Sequence, residues 1–210
     1  MKHRILLLLL VLALCPVVVG QTVKEPKTDV PFAVTTDLDG KKLDLAGVGL
    51  RTKLIVKVYA AGLYLDRAAG AELARFKSQL AKPDQSVLDA IIHSGYDKLF
   101  VLHFVRDVGS GRIRDAFKEG LEKSMDVNAP DVKADVETFL STFKTDVKKG
   151  EELKLFVEGQ QVTVINPAGD RTVIKNPKIA WGTTACWLGK DGVQEDLRNG
   201  LVSRLSELVK

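Results

Sequence analysis

The 210-residue chain has only two cysteines and three histidines, and their placement removes whole classes of function. Cys15 lies in an N-terminal leader, so Cys186 alone remains afterwards and no internal disulfide can form; stability must come from packing. His93 and His103 are the histidines outside the leader. No H-x-x-H, C-x-x-C or carboxylate cluster accompanies them, so no metal site is expected. Nor is any cofactor, a haem held by one histidine being the one open alternative that no spacing supports. No glycine-rich loop after a strand offers a phosphate cradle, which argues against nucleotides. The chain also lacks a charge excess. Without Lys2 and Arg4 of the leader, its 31 basic residues fall to 29 against 27 acidic ones, a net charge of +2, too even for a nucleic-acid partner.

Long apolar runs are missing too, except at the start. Met1 to Gly20 has a basic end (Lys2, His3, Arg4), an apolar centre from Ile5 to Leu14 and small residues before Gln21. This is the pattern of a secretory signal peptide cleaved after Gly20, giving a periplasmic or secreted protein. A membrane anchor is the competing reading, but the run is short of the ~20 residues a spanning helix needs. A lipoprotein modified on Cys15 is a third, disfavoured by the bulky Leu14 before it. The remaining ~190 residues make one domain able to bury roughly 70% of its unfolded surface. Residues 21–31, polar with Pro26 and Pro31, read as a flexible arm, and residues 32–210 as the domain.

Along that domain, Phe32 to Leu38 and Lys41 to Leu45 flank Asp39-Gly40, a pair suited to a type I′ hairpin. The stretch Gly47 to Leu65, GVGLRTKLIVKVYAAGLYL, is apolar from Ile55 onward at nearly every position, so it reads as a central strand covered on both faces. Gly47 and Gly49 let the backbone approach a neighbour or ligand and set Arg51 at the strand's mouth. Leu73, Phe76 and Leu80 place a helix over 69–82, and Asp84 caps another through Ile92. Lys98 to Val105 returns to strand. Ser110 opens a helix with the stripe Ile113, Ala116, Phe117, Leu121, Met125, and Asp131 caps a second with Val132, Val136, Phe139, Leu140, Phe143. Three strands follow at 152–157, 161–165 and 171–175. Pro177 opens a helix through Trp187, and Gln194 to Val209 forms one amphipathic helix. Segregated helices and antiparallel strands make an α+β domain with helices on one face of the sheet.

Arg51 with Gly47 and Gly49, the Lys57 to Leu65 strand, Phe104-Val105-Arg106-Asp107, the Phe117 to Leu121 helix, and Trp187-Leu188-Gly189 through Leu197 to Leu201 together resemble the chalcone isomerase-like family in its bacterial exported branch, related to plant chalcone-flavanone isomerases and fatty-acid-binding relatives. The resemblance spans roughly residues 32 to 205. It implies an open-faced β-sandwich with a ligand cleft between sheet and helices. It also implies that Arg51 contacts an anionic ligand, as the arginine of the isomerases faces the anionic oxygen of the substrate; a guanidinium suits this through two charge-assisted bonds.

The isomerases' other catalytic positions do not carry over. Tyr59 stands where the resemblance places a threonine, Ile113 and Gly120 where it places a tyrosine and an asparagine, and Cys186 where it places a second threonine. The first expectation is therefore a binding protein for a fatty acid or similar lipophilic anion, lined by Arg51, Tyr59, Ile113, Phe117 and Cys186, without chalcone-cyclising activity. The alternative is an intramolecular lyase on an enone-like substrate, with Arg51 as electrostatic stabiliser and Tyr59 as donor. Tyr59 and His103 are also readable as core residues, Cys186 as a small buried hydrophobe.

Overall fold

The computed structural model describes residues 20–209; the signal-peptide reading lies almost wholly outside them. Seven antiparallel strands form one sheet in chain order: β3 (Thr35–Leu38), β4 (Lys41–Lys53), β5 (Val56–Asp66), β6 (Lys98–Phe104), β7 (Glu152–Glu158), β8 (Gln161–Ile165) and β9 (Arg171–Ile174). Asp39 and Gly40 both take positive φ, 56° and 79°, as a type I′ turn between β3 and β4 requires. Helices interrupt the meander. α1 (Ala69–Leu73) and α2 (Gln85–His93) join β5 to β6; α3 (Ser110–Glu122) and α4 (Lys133–Ser141) join β6 to β7; α5 (Pro177–Leu188), α6 (Glu195–Leu201) and α7 (Leu205–Leu208) follow β9. Asp84 caps α2 by accepting from the amides of Ser86 and Val87 at 2.9 and 3.2 Å, and Asn176 caps α5 ahead of Pro177.

The two-residue alternation of the strands sends side chains to two cores. Ala61, Leu63, Phe100, Leu102, Leu155 and Val157 face the helices and join the main core. Leu45, Tyr64, Leu99, Val101 and Phe156 face the other way. That second face is covered by a hairpin of β1 (Thr22–Lys24) and β2 (Pro31–Ala33), which delivers Val23, Val30 and Phe32. Residues 21–31, expected as a loose arm, are therefore built into the structure. The buried Glu25 carboxylate accepts from the Thr28 hydroxyl at 2.6 Å and the Lys27 amide at 3.1 Å, which fixes the turn.

Four expectations are corrected. Ile55 and Val56 are not covered: β4 and β5 form a hairpin whose turn is Leu54-Ile55, Ile55 is 95% exposed, and Val56, the first residue of β5, is 39% exposed. The helix expected over 69–82 stops at Leu73 and continues as a 3-10 turn to Phe76. Asp131 does not cap α4, because its carboxylate binds Lys178 Nζ at 2.6 Å across the chain. The last helix is two, since the Arg204 amide donates to the Ala46 carbonyl of β4 at 2.8 Å instead of continuing a helical ladder.

Candidate functional site

Arg51 lies near the end of β4, directly across from Tyr59 of β5, with a bulge following it. Both belong to the helix side of the sheet, because their neighbours in register, Gly49 opposite Ala61 and Gly47 opposite Leu63, do. The nearness of Gly47 and Gly49 is to protein: a Cβ on Gly47 would lie 2.3 Å from the Gly200 carbonyl, and one on Gly49 would lie 2.6 Å from the Leu197 carbonyl. These glycines seat α6 against β4, and the segment leading into α6 brings Gln194 to Arg51. Arg51 Nη1 donates to the Thr52 carbonyl at 2.6 Å and to Gln194 Oε1 at 3.3 Å. Gln194 is held in turn by the Thr52 amide, 3.0 Å, and donates to Thr52 Oγ1, 3.1 Å. Among the described residues no carboxylate pairs with Arg51, so a half-buried guanidinium is met by neutral acceptors alone.

Beside it, Trp187 Nε1 donates to Tyr59 Oη at 3.1 Å. Burial pushes the Tyr59 phenol up to about 12, against the opposing pull of the Trp187 hydrogen bond and the Arg51 charge, so at neutral pH the phenol keeps its proton. With its oxygen accepting from the indole, that proton is available to a further acceptor. Trp187 stacks on Phe100 of β6 at 4.4 Å and meets Phe117 of α3 edge-on at 5.9 Å; Phe117 stacks on Phe143 at 4.4 Å. These rings occupy the space between sheet and helices where the family resemblance implies a ligand cleft. Ile113 and Phe117 are buried on α3, and Cys186 on α5. A Cβ on Gly120 would meet Cys186 Sγ at 2.6 Å, so the sulfur takes the room that a side chain at 120 would need. Burial pushes the Cys186 thiol up to about 12, which leaves it protonated and unreactive.

The structure thus brings Arg51 and Tyr59 together and sets Ile113, Phe117 and Cys186 on the helices beyond Trp187. It adds Gln194, Thr52 and Trp187. Trp187 had a signal in the Trp187-Leu188-Gly189 motif; Gln194 had none, because its contact with Arg51 spans 143 residues. His93 and His103 are separate: His93 Nδ1 lies 2.9 Å from the Asp89 carbonyl, and His103 lies 3.6 Å from Glu152. No group of three or more His, Cys, Asp or Glu side chains gathers as a metal site among the described residues. A surface groove of roughly 510 Å³ between α2, the end of α3 and α5, lined in part by His93, Lys123, Met125 and Trp181, contains none of the five expected site residues.

The crystal structure of a fatty-acid binding protein from Arabidopsis thaliana superposes with a TM-score of 0.74 at 20% identity, covering 90% of this chain and 98% of that one. At that identity the likeness establishes the fold. A search of curated proteins finds no match. A family model described as chalcone isomerase-like matches residues 25–203, a span that takes in Arg51, Tyr59, the α3 stripe, Cys186 and Gln194, and the chain belongs to the chalcone isomerase-like family.

Proposed function

We propose that this chain is an exported binding protein for a fatty acid or similar lipophilic anion. Its carboxylate sits on Arg51 and its tail lies between β5 and α3. The observation that carries the reading is the Arg51 guanidinium, half-buried and, among the described residues, answered only by a carbonyl and an amide oxygen. A carboxylate replacing Gln194 would gain two charge-assisted bonds, and the Tyr59 hydroxyl stands in register to donate a third. The structural likeness to a fatty-acid binding protein supports the same ligand class, and the leader's pattern supports export. Entry of a tail moves Trp187 off Phe100 and breaks its bond to Tyr59, so binding is read in Trp187 emission, with Trp181→Phe removing the other indole.

Fatty acids of increasing length titrated against this protein should change that emission saturably. Arg51→Ala should weaken binding by ~1.5–3 kcal/mol, about 10–100-fold, and Arg51→Lys should recover only part of the loss because the ammonium lacks the two-pronged geometry. Equal affinity in Arg51→Ala would remove Arg51 from the site. The isomerase alternative draws on the same Arg51–Tyr59 pair as stabiliser and donor. Chalcone turnover above background that Arg51→Ala abolishes would replace binding by catalysis.

A further inference from the structure

Among the described residues, the most exposed large apolar side chains are neighbours. Leu54 is 94% and Ile55 95% exposed, and Val56 next to them 39%. Pairing of β4 with β5 continues out to Lys53 and Val56, so Leu54-Ile55 is a two-residue turn at the tip of a projecting hairpin. Leu54 has φ +57°. Glycine, asparagine and aspartate fill such a position cheaply, and a leucine does not. Folding therefore gains nothing from this pair: it is unfavourable in solvation and in backbone conformation together, the combination that marks a functional segment.

The charges on the tip itself have one sign. From Leu50 to Val58 the sequence holds Arg51, Lys53 and Lys57 and no acidic residue. Lys53 and Lys57 are exposed, and Lys57 Nζ bonds the carbonyl of Lys27, bringing another basic residue alongside. The Val105 amide donates to the Val58 carbonyl at 3.1 Å, which sets Arg106 next to the same hairpin. Carboxylates adjoin these elements too: Glu25 and Asp29 flank Lys27, with Glu25 buried and bonded to Thr28 and the Lys27 amide, Asp107 is bound by Lys148 and the Lys149 amide, and Glu195 starts α6.

We propose that the β4–β5 hairpin docks the protein on an anionic lipid bilayer, with Leu54 and Ile55 inserted among the acyl chains and Lys53 and Lys57 on the headgroups. Two side chains on a narrow turn are far too small for a stable protein interface, which buries ~1,000 Å² or more. A few apolar side chains backed by cations are what peripheral attachment uses. Leu54 lies three residues beyond Arg51, roughly 10 Å along an extended strand, so docking would hold Arg51 close above the headgroups. The docking rests on the hairpin's own exposure and charge, whether or not Arg51 receives a carboxylate.

The test is partition of the mature protein onto vesicles of phosphatidylcholine alone and of phosphatidylcholine mixed with phosphatidylglycerol, measured by flotation. Binding to the mixed vesicles, weakened by salt, is expected. Leu54→Gly with Ile55→Asn should lower the partition roughly tenfold or more without lowering the melting temperature, because glycine suits the positive φ at position 54. Lys53→Gln and Lys57→Gln should each lower it about fivefold. No partition onto mixed vesicles, or partition indifferent to the Gly-Asn turn, overturns the proposal. So does concentration-dependent self-association that the same turn abolishes, since the tip would then contact a second copy.

Discussion

Both faces of the sheet are approached through glycines at almost the same distance, but by different things. On the helix side, a Cβ on Gly49 would stand 2.6 Å from the Leu197 carbonyl, and one on Gly200 of α6 would stand 2.5 Å from the Val48 carbonyl. The contact is backbone against backbone. On the other side, a Cβ on Gly62 would stand 2.6 Å from Cδ1 of Phe32, a ring carried by a hairpin with three residues per strand. A carbonyl inside a helix has nowhere to go, whereas a ring on a small hairpin can swing or lift. Equal crowding should therefore have unequal consequences, and only the helix side positions Arg51 through Gln194.

The largest effect should come from Gly49→Ala. The added methyl must push α6 off β4, so a cost of about 3 kcal/mol or more is expected. Gln194 should shift with α6 away from Arg51, and because the ligand carboxylate has to displace it there, affinity should not fall along with stability. Urea unfolding measures the first and the Trp187 titration the second. A cost below ~1 kcal/mol would mean that α6 is loosely held and that the two faces do not differ as described.

The helix side hides a cation, which gives the next effect. Lys98 on β6 is fully buried, its Nζ bonded to the Ser94 and Tyr96 carbonyls at 3.0 Å each and lying 5.1 Å from the Tyr96 ring centre. Burial lowers its pKa to about 8, only partly offset by Asp97 and Glu72. The folded state thus binds this proton less well than the unfolded chain, whose lysine titrates near 10.5. Stability should rise with pH between about 8 and 10, by about 2 kcal/mol. Above pH 10 the raised phenols of Tyr59, Tyr64 and Tyr96 reverse the trend, because the unfolded chain then loses protons that the folded one keeps. Lys98→Met should abolish the rise. A stability flat from pH 8 to 10 would mean that the two carbonyls fully compensate the buried charge.

Much of this was legible in the sequence where one residue's local chemistry decides the outcome. Asp84 and Pro177 start helices, Asp39-Gly40 turns the first hairpin, and the α3 stripe sits on the core as its spacing requires. Failures occurred where a distant partner decided. Asp131 was taken by Lys178, 47 residues away, and the last helix was broken by the Ala46 carbonyl. Leu54-Ile55 was hidden for the opposite reason: its residue types favour a strand, and no Gly, Asn or Asp announces the turn. At the site, Arg51 and Tyr59 were legible through motif resemblance. The filling of the cleft by Trp187, Phe100 and Phe117 was not, since three aromatics from three elements have no common pattern in sequence.

The smallest effect should come from Gly62→Ala. In a strand, alanine in place of glycine saves backbone entropy, so the steric cost at Phe32 is partly offset. A net loss of about 1–2 kcal/mol is expected. Phe32→Leu removes the aromatic atoms that the new methyl would meet, at a cost of its own in burial over Leu45 and Tyr64. Because the two residues touch, their effects should not add. The double variant should be more stable than the sum of the single losses requires, by about 1 kcal/mol, in the same urea experiment. Ligand affinity should be unchanged throughout, since Phe32 and Gly62 pack on the face away from Arg51. A loss as large as that of Gly49→Ala, unrelieved by Phe32→Leu, would show that the β1–β2 cover is as unyielding as α6. The two faces would then be equally rigid, and the hairpin of residues 22–33 would be a structural half of the domain rather than a small cover on it.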